Sequence, residues 1–133
     1  TVPPDAQARL ALAQSLTETL LHQGFAKNAI LVDCMAQPLA EGGAQSVSAV
    51  LETIRLVREK LGLKTFLDLS AMTSGLPEPG LLQRSFLPLA LHAGLDLVLS
   101  DPEDNALTDT FAAYRALAGL DQGCTAYTAR FAG

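Results

Sequence analysis

Apolar positions recur at near-helical spacing from Ala6 to Gln23, where Leu10, Leu12, Ala13, Leu16, Leu20 and Leu21 fall close to one stripe. Asp5, behind Pro3 and Pro4, is placed to cap that helix and Gly24 to stop it. Ile30 to Val32 is a short apolar run that halts at Asp33, the pattern of a buried strand. A loop with Pro38, Gly42 and Gly43 leads to a helix over Ser46 to Leu61. Its Val47, Val50, Leu51, Ile54, Val57 and Leu61 share one stripe, with Glu52, Arg55, Arg58 and Glu59 off it. Gly62 closes that helix, and Thr65 to Ser70 reads as the second strand. After Gly75, Pro77, Pro79 and Gly80, a helix runs near Leu81–Ala93 to Gly94, with Pro88 inside it to bend it or displace its start. Leu95 to Leu99 is the third strand, ending in Ser100-Asp101-Pro102. Asp104 or Asn105 begins a last helix that reaches about Leu117, and Gly123 to Gly133 has no clear period.

Strands that alternate with helices imply parallel pairing, with helices packed outside the sheet. Three strands are few for a parallel sheet, which must be buried on both faces, and an open sheet exposes two edges. A closed (β/α)8 barrel needs eight strands and about 250 residues. This chain has 133.

Composition narrows the class further. Apolar residues make up 49% of the chain, enough for a core, and this excludes a disordered segment. The net charge of -5 argues against nucleic acid or an anionic membrane surface as partner. No apolar run approaches the ~18–20 residues of a membrane span, and no leader pattern points to secretion. Cys34 and Cys124 are too isolated for a disulfide framework or a paired metal motif. The expectation is one reduced, cytoplasmic α/β domain over residues 1–133.

Polar residues gather where the strands end: Asp33-Cys34, then Asp68 and Ser70, then Ser100-Asp101. In parallel α/β folds that end carries the ligand site. Asp and Ser there also cap helices and close turns, so both roles stand open. Asp68 lies within its strand, on one face with Phe66 and Ser70, where a carboxylate must be wetted, paired or protonated. Cys34 reads as a small buried residue. His22 and His92 lack ligand spacing, so no metal site is expected. Lys27 and Lys64 precede strands, away from the site. The glycine loops do not match a phosphate-binding spacing.

The segment Lys64-Thr65-Phe66-Leu67-Asp68-Leu69-Ser70, then Gly75-Leu76-Pro77, then Leu81-Leu82-Gln83-Arg84-Ser85-Phe86-Leu87-Pro88-Leu89-Ala90-Leu91, resembles the pterin-binding methyltransferases. These are the methyltetrahydrofolate:corrinoid/iron–sulfur protein methyltransferases and the folate domain of cobalamin-dependent methionine synthase. Their pattern is Gly-Leu-Ser-Asn-Val-Ser, a short loop, then Leu-Leu-Asn-Arg-Thr-Phe-Leu. Ala93-Gly94-Leu95-Asp96, Ser100-Asp101-Pro102 and Ile30-Leu31-Val32-Asp33 continue the likeness over about residues 5–130. It implies the C-terminal portion of a (β/α)8 TIM barrel: about three βα units plus a leading helix.

The resemblance further implies methyl transfer from N5 of methyltetrahydrofolate to the cobalt(I) of a corrinoid carried by a partner, a corrinoid or iron–sulfur protein. The chain itself would bind no metal. It would self-associate or join the missing N-terminal part of the barrel. Asp33 would accept the two N–H donors of the pterin edge, with Ser70, Asp68, Ser100 and Asp101 near the substrate. A basic residue near Arg58 matches a family position. The family Asn that helps develop positive charge at N5 is Ala71 here, with Thr73 and Ser74 as candidate substitutes. The family Gly is Asp68, a family Arg is Pro79, and a second family Asn is Gln83. These departures leave two further readings: a catalytically degenerate relative acting as a binding or scaffold subunit, and a dihydropteroate synthase-like enzyme, whose Ser-Arg-Lys strand end is Ser70-Ala71-Met72 here.

Overall fold

The computed structural model describes residues 2–133. Helix α1 (Ala6–His22) is capped by Asp5, whose Oδ1 accepts the Ala8 amide at 2.8 Å. Strand β1 (Leu31–Asp33) follows, then α2 (Leu39–Leu56), which a π-type turn (Val57–Leu61) extends to Gly62. Strand β2 (Lys64–Asp68) passes directly into the short helix α3 (Leu69–Thr73). Helix α4 (Pro79–Ala93), strand β3 (Leu97–Leu99), α5 (Asn105–Leu117) and α6 (Thr125–Phe131) complete the chain. Among the described residues no helix is long and apolar enough to cross a membrane.

The expected helices and strands are present, with corrections at their ends. Helix α2 starts at Leu39, ahead of the expected Ser46, because Pro38 opens a first turn that Gly43 (φ 56°, ψ -147°) then breaks from the rest. β2 stops at Asp68, before the expected Ser70, because the Asp68 carboxylate takes the Ser70 amide and starts a helix there. Pro88 neither ends nor delays α4, which begins at Pro79 and runs on to Ala93. The tail without a period forms α6. Asp121 holds its start, accepting the amides of Ala126 at 3.0 Å and Tyr127 at 2.9 Å. Those two bonds keep its carboxyl below the usual carboxylate range.

The three strands lie side by side in the order β1-β2-β3, all parallel. Asp33 sits opposite Phe66, Phe66 opposite Leu97, and Asp68 opposite Leu99. Alternation sends Val32, Thr65, Leu67 and Val98 to one face and Leu31, Asp33, Phe66, Asp68, Leu97 and Leu99 to the other. The first face is covered by α2 and α4, where Val50, Ile54, Leu67, Met72, Phe86 and Leu87 form the main core. A smaller cluster of Ala13, Ile30, Val57 and Leu63 closes the end where the strands begin. At that same end Gly94 adopts φ 110° beneath Arg58. A β-carbon on Gly94 would lie 2.7 Å from Arg58 Cδ, which the arginine side chain could move to relieve, so it is the positive φ that favours glycine here.

The second face is bare. Leu31, Leu97 and Leu99 are 42%, 53% and 56% exposed, whereas Leu67 on the covered face is fully buried. Helix α1 shows the same imbalance. Its buried positions are Ala6, Arg9, Ala13 and Thr17, toward α2, and the expected leucine stripe is not the buried face. Leu12, Leu16 and Leu21 stay exposed; Leu12 and Leu16 line an open groove beside the unpaired edge of β1.

Chemical denaturation of the 133-residue chain checks this one-sided burial. Leu67→Ala is expected to cost about 2–5 kcal/mol, the usual range for a buried leucine. Leu99→Ala should stay within about 0.5 kcal/mol, as for a surface position. Equal costs for the two would contradict a bare second face.

Candidate functional site

β1 and β2 each end on a carboxylate that closes its own turn, and Asp101, two residues past β3, does the same. Asp33 Oδ1 accepts the Met35 amide at 2.8 Å, Asp68 Oδ1 the Ser70 amide at 2.9 Å, and Asp101 Oδ1 the Glu103 amide at 2.9 Å. Among the described residues, the second oxygen of each has no hydrogen-bond partner. The chain thus presents three half-engaged carboxylates along one rim, the end of a parallel sheet where ligands bind.

These groups do not share one cavity. A depression of about 460 Å³ gathers Asp68, Ser70, Gln83, Ser100, Asp101 and Asp104. Asp104 caps α5 through the Leu107 amide at 2.9 Å, and the Ser70 hydroxyl donates to Asp68 at 2.6 Å. Asp33 instead lines a separate groove of about 310 Å³ between α1 and the free edge of β1, with Leu12, Leu16, Leu20 and Leu31. What joins Asp33 to Asp68 is the open face of the sheet, onto which both alternate.

At the position that the resemblance matches to an asparagine, the nearby polar side chains differ in availability. Ala71 is half-buried and offers no polar side-chain group. Thr73 is buried, its hydroxyl 3.4 Å from the Leu69 carbonyl oxygen, and it accepts Gln83 Nε2 at 2.9 Å. Ser74 is exposed just past the end of α3. Arg58 lies at the opposite end of the sheet, donating to the Gly94 carbonyl at 3.2 Å, so it is remote from these carboxylates. Sequence reasoning passed over Arg9, which is buried and donates to the Cys34 and Met35 carbonyls behind Asp33. The available signal was a charge in line with Ala6 and Ala13 on α1. Among the described residues no group of three His, Cys, Asp or Glu side chains is arranged to hold a metal ion.

No protein-family model matches the chain. It is similar to a methylcorrinoid:tetrahydrofolate methyltransferase of Eubacterium limosum, with 24% identity over 132 residues. That alignment takes in 98% of this chain and 48% of the relative, so the chain spans about half the length of the curated protein it matches. The likeness points to a related methyltransferase family, the same direction as the motif around β2 and α4.

The cysteines give a direct check on burial at the rim. Burial is the main force pushing the Cys34 thiol up to about 12, helped by the nearby Asp33 charge. Cys124 is exposed. At mildly alkaline pH iodoacetamide should therefore label Cys124 in the folded chain and reach Cys34 only after unfolding, as read by peptide mass. Labelling of both at equal rates would contradict the sealed position of Cys34.

Proposed function

We propose that this chain is the C-terminal portion of a (β/α)8 barrel that moves a methyl group between N5 of a tetrahydrofolate and the cobalt of a corrinoid carried by a partner protein. The observation that carries this reading is the bare, apolar face of a parallel sheet with carboxylates at its C-terminal rim. In a closed barrel that face would be the interior and that rim the mouth. The similarity to a folate and corrinoid methyltransferase of twice the length supports it.

In this reading Asp33 anchors the substrate. Its free oxygen accepts from the 2-amino-4-oxo edge of the pterin, while its other oxygen stays on the Met35 amide. Asp68, Ser70, Ser100 and Asp101 line the neighbouring wall. Transfer to cobalt(I) breaks the methyl–N5 bond, leaves its electron pair on N5, and requires a proton there as the cobalt–carbon bond forms. The reverse direction, which the relative's name describes, releases that proton. Neither Ala71 nor the engaged Thr73 hydroxyl supplies it, so the donor comes from Ser74, from solvent or from the half of the barrel outside this chain. The same observation favours one competing reading, a barrel relative that binds its partner without catalysing transfer.

Two measurements on the intact protein decide between them. Cob(I)alamin absorbance should decay when methyltetrahydrofolate is added, and calorimetry should register binding of the folate. Binding with a flat absorbance trace would favour the scaffold reading. No binding would end the pterin reading. Where binding is seen, Asp33→Ala should weaken it by about 1–3 kcal/mol, the scale for a lost buried partner. Unchanged affinity would remove Asp33 from the site.

A further inference from the structure

The side chain behind Asp33 is the least expected group in the chain. Arg9 is 1% exposed, and among the described residues no carboxylate pairs with it. Its guanidinium is satisfied by oxygens alone. Nε donates to the Pro3 carbonyl at 2.9 Å, Nη1 to the carbonyls of Cys34 and Met35, both at 3.2 Å, and Nη2 to Gln37 Oε1 at 3.2 Å. A buried charge without a counter-ion persists only when its nitrogens have partners of this kind, as all three do here. Burial in turn lowers its pKa from the ordinary arginine value.

Three of the four acceptors belong to residues 34–37, the loop that leaves β1. Within it Met35 holds φ 55°, a left-handed conformation uncommon for a residue other than glycine. The Met35 amide donates to Asp33 Oδ1 at 2.8 Å. The carbonyls of Cys34 and Met35 point the other way, into Arg9. One peptide stretch is thus gripped on its carbonyl side by the guanidinium and on its amide side by the carboxylate.

We propose that Arg9 is a positioning residue for Asp33: from inside α1 it holds the Cys34 and Met35 carbonyls and so fixes the turn that aims the Asp33 carboxylate over the open face of the sheet. A forked, donor-only group is required, because the acceptors are spread from Pro3 to Gln37. A lysine ammonium presents its donors at one point and cannot span them. The consequence for a bound pterin rests on the function proposed above, whereas the control of the turn does not.

Amide hydrogen exchange in the intact protein separates the two. Arg9→Lys is expected to speed exchange of the Met35 amide by about 10-fold, the equivalent of one lost hydrogen bond, with the β2 amides unchanged. Gln37→Leu removes one acceptor without altering α1 and should speed the same amide by less. A Met35 amide equally protected in both variants overturns the proposal, and so does equal acceleration at β2 in both. The second arm measures tetrahydrofolate affinity for Arg9→Lys, Asp33→Ala and the double variant. If Arg9 acts through Asp33, the double variant binds no more weakly than Asp33→Ala alone, and additive losses overturn that coupling. If the natural protein does not bind tetrahydrofolate, the pterin reading fails and the exchange result alone decides the role of Arg9.

Discussion

Parallel strands cannot be joined by a tight turn, so each of the two crossovers in this chain carries a helix, and both helices return to the same face of the sheet. That one constraint sets the rest of the molecule. It buries Thr65 and Leu67 and half-buries Val32 and Val98 on the helix-covered face, and leaves Leu31, Leu97 and Leu99 exposed on the other. It also leaves β1 and β3 each with an unpaired edge. A parallel sheet is found almost always with both faces covered, and bare edges are sites of further pairing. The exposed leucines of α1 belong to the same account. Leu12 and Leu16 line the groove beside the free edge of β1, where a further strand of a larger sheet would lie.

The rim chemistry follows from the same geometry. An aspartate at or just past a strand's end can close the turn with its own carboxylate, as Asp33, Asp68 and Asp101 do here. The local bond occupies one oxygen and holds the side chain near the backbone, leaving the second oxygen without a protein partner. Capping and ligand binding, which compete as explanations when a sequence shows Asp at a strand end, are therefore compatible at the level of single oxygens. Asp68 is the most committed of the three, since it also takes the Ser70 hydroxyl. Asp33 spends only one bond on the backbone, and the turn it closes is gripped from behind by Arg9.

What was legible in the sequence had local causes. Asp5 and Asp104 announced their helices because capping depends on a few adjacent residues, and Gly62 and Gly94 announced helix ends because a positive φ favours glycine. The strand ends at Asp33 and Leu99 were legible for a similar reason, since an apolar run gives way to polar residues. The illegible parts depended on partners distant in sequence. The stripe of leucines on α1 predicts a buried face, but burial needs a neighbour, and at Leu12 and Leu16 there is none. The role of Arg9 could not be read because its acceptors lie 25 or more residues away at Cys34, Met35 and Gln37. The short α3 escaped notice because Leu67-Asp68-Leu69-Ser70 alternates as a strand does, and only the turn bond to Ser70 reveals the helix.

The departures from the methyltransferase pattern that the resemblance implies fall in two places, the start of α3 (Asp68, Ala71) and the first turns of α4 (Pro79, Gln83), and the two meet at Thr73. Where the family has a glycine, this chain has the carboxylate of Asp68, and that carboxylate captures Ser70. Where the family has an asparagine, Ala71 removes the polar group. The nearby Thr73 hydroxyl is drawn inward, and Gln83, at another family asparagine, bonds to it. The same wall still shapes a depression lined by Asp68, Ser70, Gln83 and Ser100. Under the proposed function, Ala71 gives this wall no donor for a ring nitrogen, and proton movement there would be handled from α3's exposed end, from solvent, or from a part of the barrel outside this chain. In that reading the chemistry and the open sheet bear on each other, since strands that covered Leu97 and Leu99 would also be positioned to restore what Ala71 lacks.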